Sequence, residues 1–196
     1  VERCKTCSGL IAAAERQQVY LARVRGDAAP WTTDPIIVRH RFTNCYRATD
    51  RVSQYLIGQV IYRGSQDPDE VLFRILLFKF FNRISTWELL CSAFGEPTWA
   101  GFCLERYDRV LAEALGRGEA IYSAAYIVSP PRLGARRKHT NHLLLVRRML
   151  RDGLVSRLQA SESMEHAFRA LLLSLIGRLP GVPAAHRHQL LHDHRL

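Results

Sequence analysis

The segment that most limits the possible folds is residues 73–87, which carries apolar side chains on almost every side of a helix. A helix that is apolar all round has to be buried, so this segment predicts a central helix of the core. Arg74, Lys79, Asn82 and Arg83 interrupt the pattern. A buried charge needs a partner, so these residues are candidates either for structural pairing or for function.

The preceding segment, residues 41–56, predicts a second helix with a single apolar stripe. The stripe recurs at steps of three and four residues and consists of Phe42, Tyr46, Thr49, Val52 and Leu56. Polar residues lie beside it, namely Asn44, Arg47, Asp50, Arg51 and Gln54. Two interpretations stay open: a functional polar face, or two core helices with solvated charges and helix caps.

Apolar periodicity predicts an all-α fold of seven to nine helices. Asp67 is the predicted N-cap of the central helix, with Pro68 at its first position, and that helix is expected to end near Ser85. A short helix is expected to end at Gly95, and residues 31–38 are expected to be extended. Residues 121–128 fit either a short strand or a buried helix. The other predicted helices span residues 8–23, 102–115, 140–151 and 163–176.

The charge balance favours a polyanionic partner. The net charge is +10, and nearly all of the 28 basic residues are arginines, since the lysines are Lys5, Lys79 and Lys138. Such an excess favours nucleic acid first and an anionic membrane second, although a GC-rich genome produces the same arginine bias. Residues 132–151 contain no acidic residue and form the densest basic patch. Its predicted DNA-binding residues are Arg136, Arg137, Lys138, His139 and Asn141; a merely solvated surface is the alternative.

Neither a metal nor an organic cofactor is predicted. Cys4 and Cys7 form a single pair and His188 and His192 a second one, but structural zinc requires four ligands. The pair Gly116 and Gly118 follows a predicted helix rather than a strand, and the Gly-x4-Gly-Lys-Ser/Thr phosphate loop does not occur in the sequence.

The odd number of cysteines argues against a disulfide framework, and no apolar run has the length of a membrane span. We therefore expect the cytoplasm of a bacterial or phage-infected cell and no membrane partner. The chain begins at Val1 instead of Met, which suggests a fragment of a longer protein.

The order of the motifs resembles a known family. Residues 42–56 and 78–90 are similar to the helical domain of phage-type DNA thymine-hypermodification proteins. This group includes the helical domain of 5-hydroxymethyl-deoxyuridine DNA kinases and the alpha-glutamyl/putrescinyl thymine pyrophosphorylases. The resemblance continues through residues 118–126, 137–142 and 179–182, with Gln189 and Asp193 beyond them. It covers nearly the whole chain from about Pro35 onward.

The segment Leu179 to Val182 also resembles the hairpin of helix-hairpin-helix proteins, which include the helical DNA glycosylases. There the turn directs backbone N–H groups at a DNA phosphate, a role that the resemblance gives to Gly181. The implied fold is a single compact, glycosylase-like multi-helix domain. Base excision is not expected, because the glycosylases' catalytic aspartate lies well beyond the hairpin and this chain ends first.

The resemblance implies an enzyme that replaces a base-linked pyrophosphate, on a 5-hydroxymethyl-uracil derivative in duplex DNA, with an amine or amino acid. We assign Arg47, Arg51 and Lys79 to the leaving group, because such chemistry requires cations. Asp50 would deprotonate or orient the amine. The base would be held by residues from both motifs and from the later segment, namely Asn44, Gln54, Asn82, Thr86 and Tyr126.

Two alternatives need no catalysis by this chain. It could be a module that binds DNA or a modified base and works with a DNA kinase or another modifying enzyme, with Asp50 holding Arg47 or Arg51 in place. It could also be an interaction domain whose arginines reflect genome composition. The expected organisation is an N-terminal extension at residues 1–34, the helical domain at 35–182 and a divergent tail at 183–196.

Overall fold

The computed structural model describes residues 5–40, 46–124, 129 and 131–176. The regular secondary structure of these residues is helical, which confirms the all-α prediction, with nine α-helices in the described part of the chain. The chain divides into two compact units, residues 1–54 and residues 55–196. The glycosylase-like hairpin around Gly181 lies outside the described residues, so that part of the predicted fold stays a prediction.

The first unit contains α1 (Lys5–Arg25), α2 (Pro35–Arg39) and a 3-10 turn (Arg47–Thr49). The extended segment predicted for residues 31–38 is wrong from Pro35 onward. Asp34 caps α2 there, because its carboxylate accepts hydrogen bonds from the Ile36 and Ile37 amides at 2.7 and 3.1 Å. Pro35 at the first helical position has no N–H group that would need an acceptor, which suits a helix start.

The continuous helix predicted for residues 41–56 is also wrong, because the helical conformation is interrupted at Asp50. α3 (Arg51–Tyr55) begins only after it, and a π-helix (Leu56–Ile61) follows directly. The Asp50 carboxylate accepts hydrogen bonds from the Val52 and Ser53 amides at 2.9 and 3.1 Å, as the N-cap of a new helix does. Residues 41–45 lie outside the described part of the chain.

The second unit contains α4 (Pro68–Phe81), α5 (Ile84–Phe94), α6 (Leu104–Gly116), α7 (Lys138–Arg151), α8 (Leu154–Gln159) and α9 (Met164–Ile176). The Asp67 cap of α4 and the end of α5 at Gly95 are confirmed. The central helix ends earlier than predicted, because Asn82 adopts a left-handed conformation with a φ of 47°. The short helix α8 was not predicted.

α4 is the centre of the second unit, as its apolar pattern predicts. It packs against the π-helix, α5, α7 and α8. Its aromatic and aliphatic side chains are buried with those of α5 to α8, including Phe73, Leu77, Phe78, Trp87, Leu111, Leu143, Val146, Met149 and Leu154. Among the described helices, none is both long and apolar enough to cross a bilayer.

Arg74 is the charge buried most deeply in α4, with no exposed surface. Its Nε donates to the Val60 carbonyl at 2.9 Å and its Nη2 to the Ser65 carbonyl at 2.7 Å. The guanidinium therefore caps the carboxyl end of the π-helix and holds the loop that follows. The Arg74 charge therefore has structural partners, which is one of the two roles that the sequence left open for it.

Candidate nucleic-acid interface

The basic loop before α7 is fixed by a single buried amide, that of Asn141. Its Oδ1 accepts from the Leu133 and Ala135 amides at 3.0 and 3.3 Å. Its Nδ2 donates to the Ala135 and Arg137 carbonyls at 2.7 and 2.9 Å. These four bonds use the whole hydrogen-bonding capacity of a carboxamide. The loop is thus held in one conformation, and Asn141 positions it from the inside.

A cleft of about 520 Å³ lies beside this loop, along one side of α7. We call it the arginine cleft; its lining residues are Arg132, Leu133, Leu144, Arg147, Arg148, Arg151 and Asp152. Arg147 and Arg151 lie one helical turn apart and therefore share a face of α7. Arg148 has a carboxylate nearby, with its Nε 3.7 Å from Asp152 Oδ2. The cleft thus brings four guanidinium groups together around one acid.

A second cleft, of about 550 Å³, adjoins the first through their shared residue Arg132. It is lined by loop residues including Gly134, Ala135 and Arg136. The side chains of Arg136 and Arg137 are exposed. In the part of the chain that the structure describes, neither forms an ion pair. Exposed guanidinium groups on a rigid loop suit bidentate contacts with phosphate oxygens.

Of the other predicted DNA-binding residues of this region, His139 is buried and Lys138 is half-buried. His139 is 2% exposed, and its Nε2 lies 3.2 Å from Oδ1 of Asp108, which also accepts a hydrogen bond from the Thr140 hydroxyl. Burial lowers the pKa of His139, and the nearby Asp108 carboxylate partly offsets this. Lys138 extends over the Tyr122 ring, 4.3 Å from its centre. The side chains of His139 and Asn141 thus hold the α7 region together. A direct contact of either side chain with DNA stays a prediction.

The predicted catalytic residues of the first unit have mostly structural surroundings. Asp50 caps α3 and its Oδ2 also accepts from the Ser53 hydroxyl at 2.6 Å. Gln54 is exposed and its side chain donates to the Ala48 carbonyl at 2.7 Å. Arg51 is exposed. Arg47 begins the 3-10 turn, and Asn44 lies outside the described residues.

The predicted residues of the second unit surround the end of α4. Lys79 is exposed and donates to Asn82 Oδ1 at 2.9 Å, while Asn82 is buried at the turn between α4 and α5. The Thr86 hydroxyl is buried and donates to the Ile121 carbonyl at 2.9 Å. These contacts join α4, α5 and the segment after α6. Tyr126 and Gly181 lie outside the described residues.

The sequence analysis placed Arg132, Arg147, Arg148 and Arg151 in the basic patch at residues 132–151 without naming them as binding residues, and it assigned no role to Tyr122. The helical spacing of the three arginines of α7 was a usable signal, because a stripe of like charge on one face of a helix predicts an anionic partner. Tyr122 gave no such signal, since it stands in an apolar run whose local structure was ambiguous.

Comparisons with known proteins agree on one family. A family model described as "5-hmdU DNA kinase, helical domain" matches residues 10–180. A curated relative, the 5-hmdU DNA kinase of Bacillus phage SP10, is 28% identical in an alignment of 142 residues that covers 67% of this chain. The chain spans about a fifth of that relative, 22% of its length. No solved structure matches.

Proposed function

Because this chain belongs to the helical-domain family of 5-hmdU DNA kinases, we propose that it is the duplex-binding part of a DNA base-modification protein. It holds DNA that carries 5-hydroxymethyl-uracil or a derivative, while a kinase or another modifying activity of the same system acts on the base. The arginine cleft is the observation that carries this proposal.

The charge in the arginine cleft favours an anionic occupant. Its four arginines repel one another, and among the described residues only Arg148 has a carboxylate at ion-pair distance. A bound phosphodiester relieves this repulsion and releases counterions from the DNA, which drives binding at low salt.

The spacing of the arginines also suits a nucleic-acid strand. Arg147 and Arg151 are separated by about 6 Å along the helix axis, since each residue rises about 1.5 Å. Arg132 adds a third guanidinium from the rigid loop, where the arginine cleft continues into the neighbouring cleft. Several phosphates along one strand can therefore be contacted at once, whatever the base sequence.

Replacement of a base-linked pyrophosphate by an amine is supported less well. That chemistry requires a carboxylate that is available to take a proton. The Asp50 carboxylate instead accepts hydrogen bonds from the Val52 amide and from the amide and hydroxyl of Ser53. DNA binding without catalysis by this chain is therefore the function that we favour.

The test is binding of a fluorescent 20-base-pair duplex to the wild type and to the double variant Arg147→Ala/Arg151→Ala, across a salt series. We expect affinity to fall at least tenfold at 100 mM salt. We also expect the slope of log K against log [salt] to become shallower by about 0.9 for each phosphate that the variant no longer neutralises.

A matched control removes the same charge elsewhere. Arg63 and Arg109 are exposed and do not line the clefts described above. The variant Arg63→Ala/Arg109→Ala should lose less than threefold in affinity. Equal losses in both double variants would mean that net charge alone drives binding and that the arginine cleft is not the site.

A further inference from the structure

A third cavity, of about 500 Å³, lies at the start of α7 and has different walls. We call it the tyrosine cavity; it is lined by Ala112, Leu115, Gly116, Tyr122, Arg137, Lys138 and His139. It shares no lining residue with the arginine cleft. Its volume is in the range of cavities that hold small molecules. Its walls combine an aromatic ring, apolar side chains and two cations.

The Tyr122 ring is held firmly from behind. Phe81 stacks on one of its faces, with ring centres 5.0 Å apart. The Tyr122 hydroxyl lies 2.9 Å from Nδ1 of His142, which is fully buried. Because Phe81 occupies one face, the Lys138 ammonium at 4.3 Å lies over the other. The ring therefore presents one face to the cavity, and the Lys138 ammonium covers it.

The cavity is electropositive. Arg137 and Lys138 both line it, and within the described residues neither forms an ion pair with a carboxylate. The nearby Asp108 carboxylate accepts a hydrogen bond from the Thr140 hydroxyl, and its Oδ1 lies 3.2 Å from Nε2 of His139. An anionic group that enters the cavity thus meets two available cations, while an attached planar ring meets Leu115 and Tyr122.

We propose that the tyrosine cavity binds a single nucleoside phosphate, in the form of one nucleotide turned out of the bound DNA. The base stacks on Tyr122 in place of the Lys138 ammonium. Lys138 then joins Arg137 on the phosphate. The proposal rests on the DNA-binding function proposed above, because the nucleotide comes from the bound strand, and an enzyme that acts on a base commonly receives it out of the stack.

The test uses the full chain and three small probes: thymidine 5′-monophosphate, thymidine and inorganic phosphate. Each is titrated while Tyr122 and His142 are followed by NMR. We expect the monophosphate to bind at least tenfold more tightly than either of the others, because only it offers both a ring and an anion. If inorganic phosphate bound as tightly as the monophosphate, the cavity would be a simple anion site. If millimolar monophosphate did not bind, the cavity would not be a nucleotide site at all. Both results would overturn the proposal.

Three variants separate the two recognition elements. Tyr122→Leu should weaken monophosphate binding about tenfold, whereas Tyr122→Phe, which keeps the ring, should stay within threefold of the wild type. Lys138→Met, a change at a partly exposed position, should weaken the monophosphate but leave thymidine unchanged. The Lys138→Met variant remains informative if Tyr122→Leu does not fold. Wild-type monophosphate affinity in Lys138→Met would contradict the proposal.

The double variant Arg147→Ala/Arg151→Ala distinguishes this proposal from the proposed function. It should lose duplex affinity and keep the monophosphate affinity of the wild type, since these residues do not line the tyrosine cavity. Loss of both activities in that variant would show one shared anionic surface and would overturn a separate nucleotide site. Monophosphate binding that persists although the wild type does not bind duplex would instead refute the DNA-binding function alone.

Discussion

His142 is a fully buried imidazole whose surroundings favour its neutral form. The Phe80 ring stacks on it with centres 5.2 Å apart, and the Tyr122 hydroxyl lies against Nδ1. Burial lowers the pKa of His142 to about 4; the Ser129 backbone raises it, while Lys138 and His139 lower it further. Protonation of this side chain therefore opposes folding.

The sign of the resulting pH dependence follows from linkage. Above pH 6.5 His142 is neutral in both states; between pH 6.5 and about 4 the unfolded chain binds a proton that the folded chain does not. The free energy of unfolding should thus fall as pH falls through this window, by up to about 3 kcal/mol at roughly 1.4 kcal/mol per pKa unit. Urea unfolding of the wild type and of His142→Gln at pH 7.5 and 5 measures the part of this fall that occurs above pH 5. An unchanged pH slope in the variant would contradict this assignment.

Asn141 acts on stability through the loop that it holds. Asn141→Ala removes four hydrogen bonds and leaves the Leu133 and Ala135 amides without their acceptor. We expect a loss of about 2–4 kcal/mol in the free energy of unfolding, measured in urea. Gln159→Ala, an exposed amide on α8, is the control and should change stability by less than about 0.5 kcal/mol.

The residue scale also shows which roles a sequence can reveal. The Asp67 cap was predictable, because the capping carboxylate and the amide that donates to it are neighbours in the chain. The role of Asn141 was not, since its partners are the backbone groups of a loop whose path depends on tertiary structure. Lys138 was assigned to DNA on charge and on the resemblance of residues 137–142, and its contact with Tyr122 could not be predicted.

At the scale of elements, the break at Asp50 explains the largest error in the predicted helices. The apolar stripe of residues 41–56 continues through the break, so periodicity alone could not show it. A carboxylate followed by a serine three positions later is the local signal, because the carboxylate accepts from the free amides of the first turn and the serine hydroxyl donates to that carboxylate. Asp50, which the sequence analysis placed on a polar catalytic face, therefore also begins a helix.

Substitution of Asp50 tests its role as a helix cap. Asp50→Ala should lower the free energy of unfolding by about 1 kcal/mol, as loss of a cap does, while Asp50→Asn should stay within about 0.5 kcal/mol because asparagine also caps helices. Neither variant should change duplex affinity by more than threefold. Urea unfolding and a fluorescent-duplex titration give both values. A large loss of stability in Asp50→Asn would show that the negative charge itself is needed.

At the scale of the whole molecule, basic residues outnumber acidic ones by 28 to 18. Much of this excess lies in residues 132–151, which line the arginine cleft and the adjoining cleft. The charge balance alone predicted a polyanion, and the basic patch at residues 132–151 predicted its place. Three-dimensional packing adds the separation into an arginine cleft and a tyrosine cavity, which share no lining residue. Composition carries no information on such a division.

The whole chain should bind duplexes with little dependence on the base. Duplexes with thymine, 5-hydroxymethyl-uracil or its pyrophosphorylated form should differ by less than about threefold in affinity, because arginine contacts with phosphates carry no base information. Affinity should fall by at least two orders of magnitude between 50 and 200 mM salt if about six phosphates are contacted. Anisotropy titrations measure both. A preference above tenfold for the pyrophosphorylated base would favour the transferase hypothesis instead.

The four hydrogen bonds of Asn141 also have a kinetic consequence. Since the loop is ordered during folding, no slow ordering step has to follow the encounter with DNA. Stopped-flow traces should show one phase whose rate rises linearly with DNA concentration and falls with ionic strength. In Asn141→Ala, provided it folds, a second phase independent of concentration should appear, because the loop must then order after the encounter.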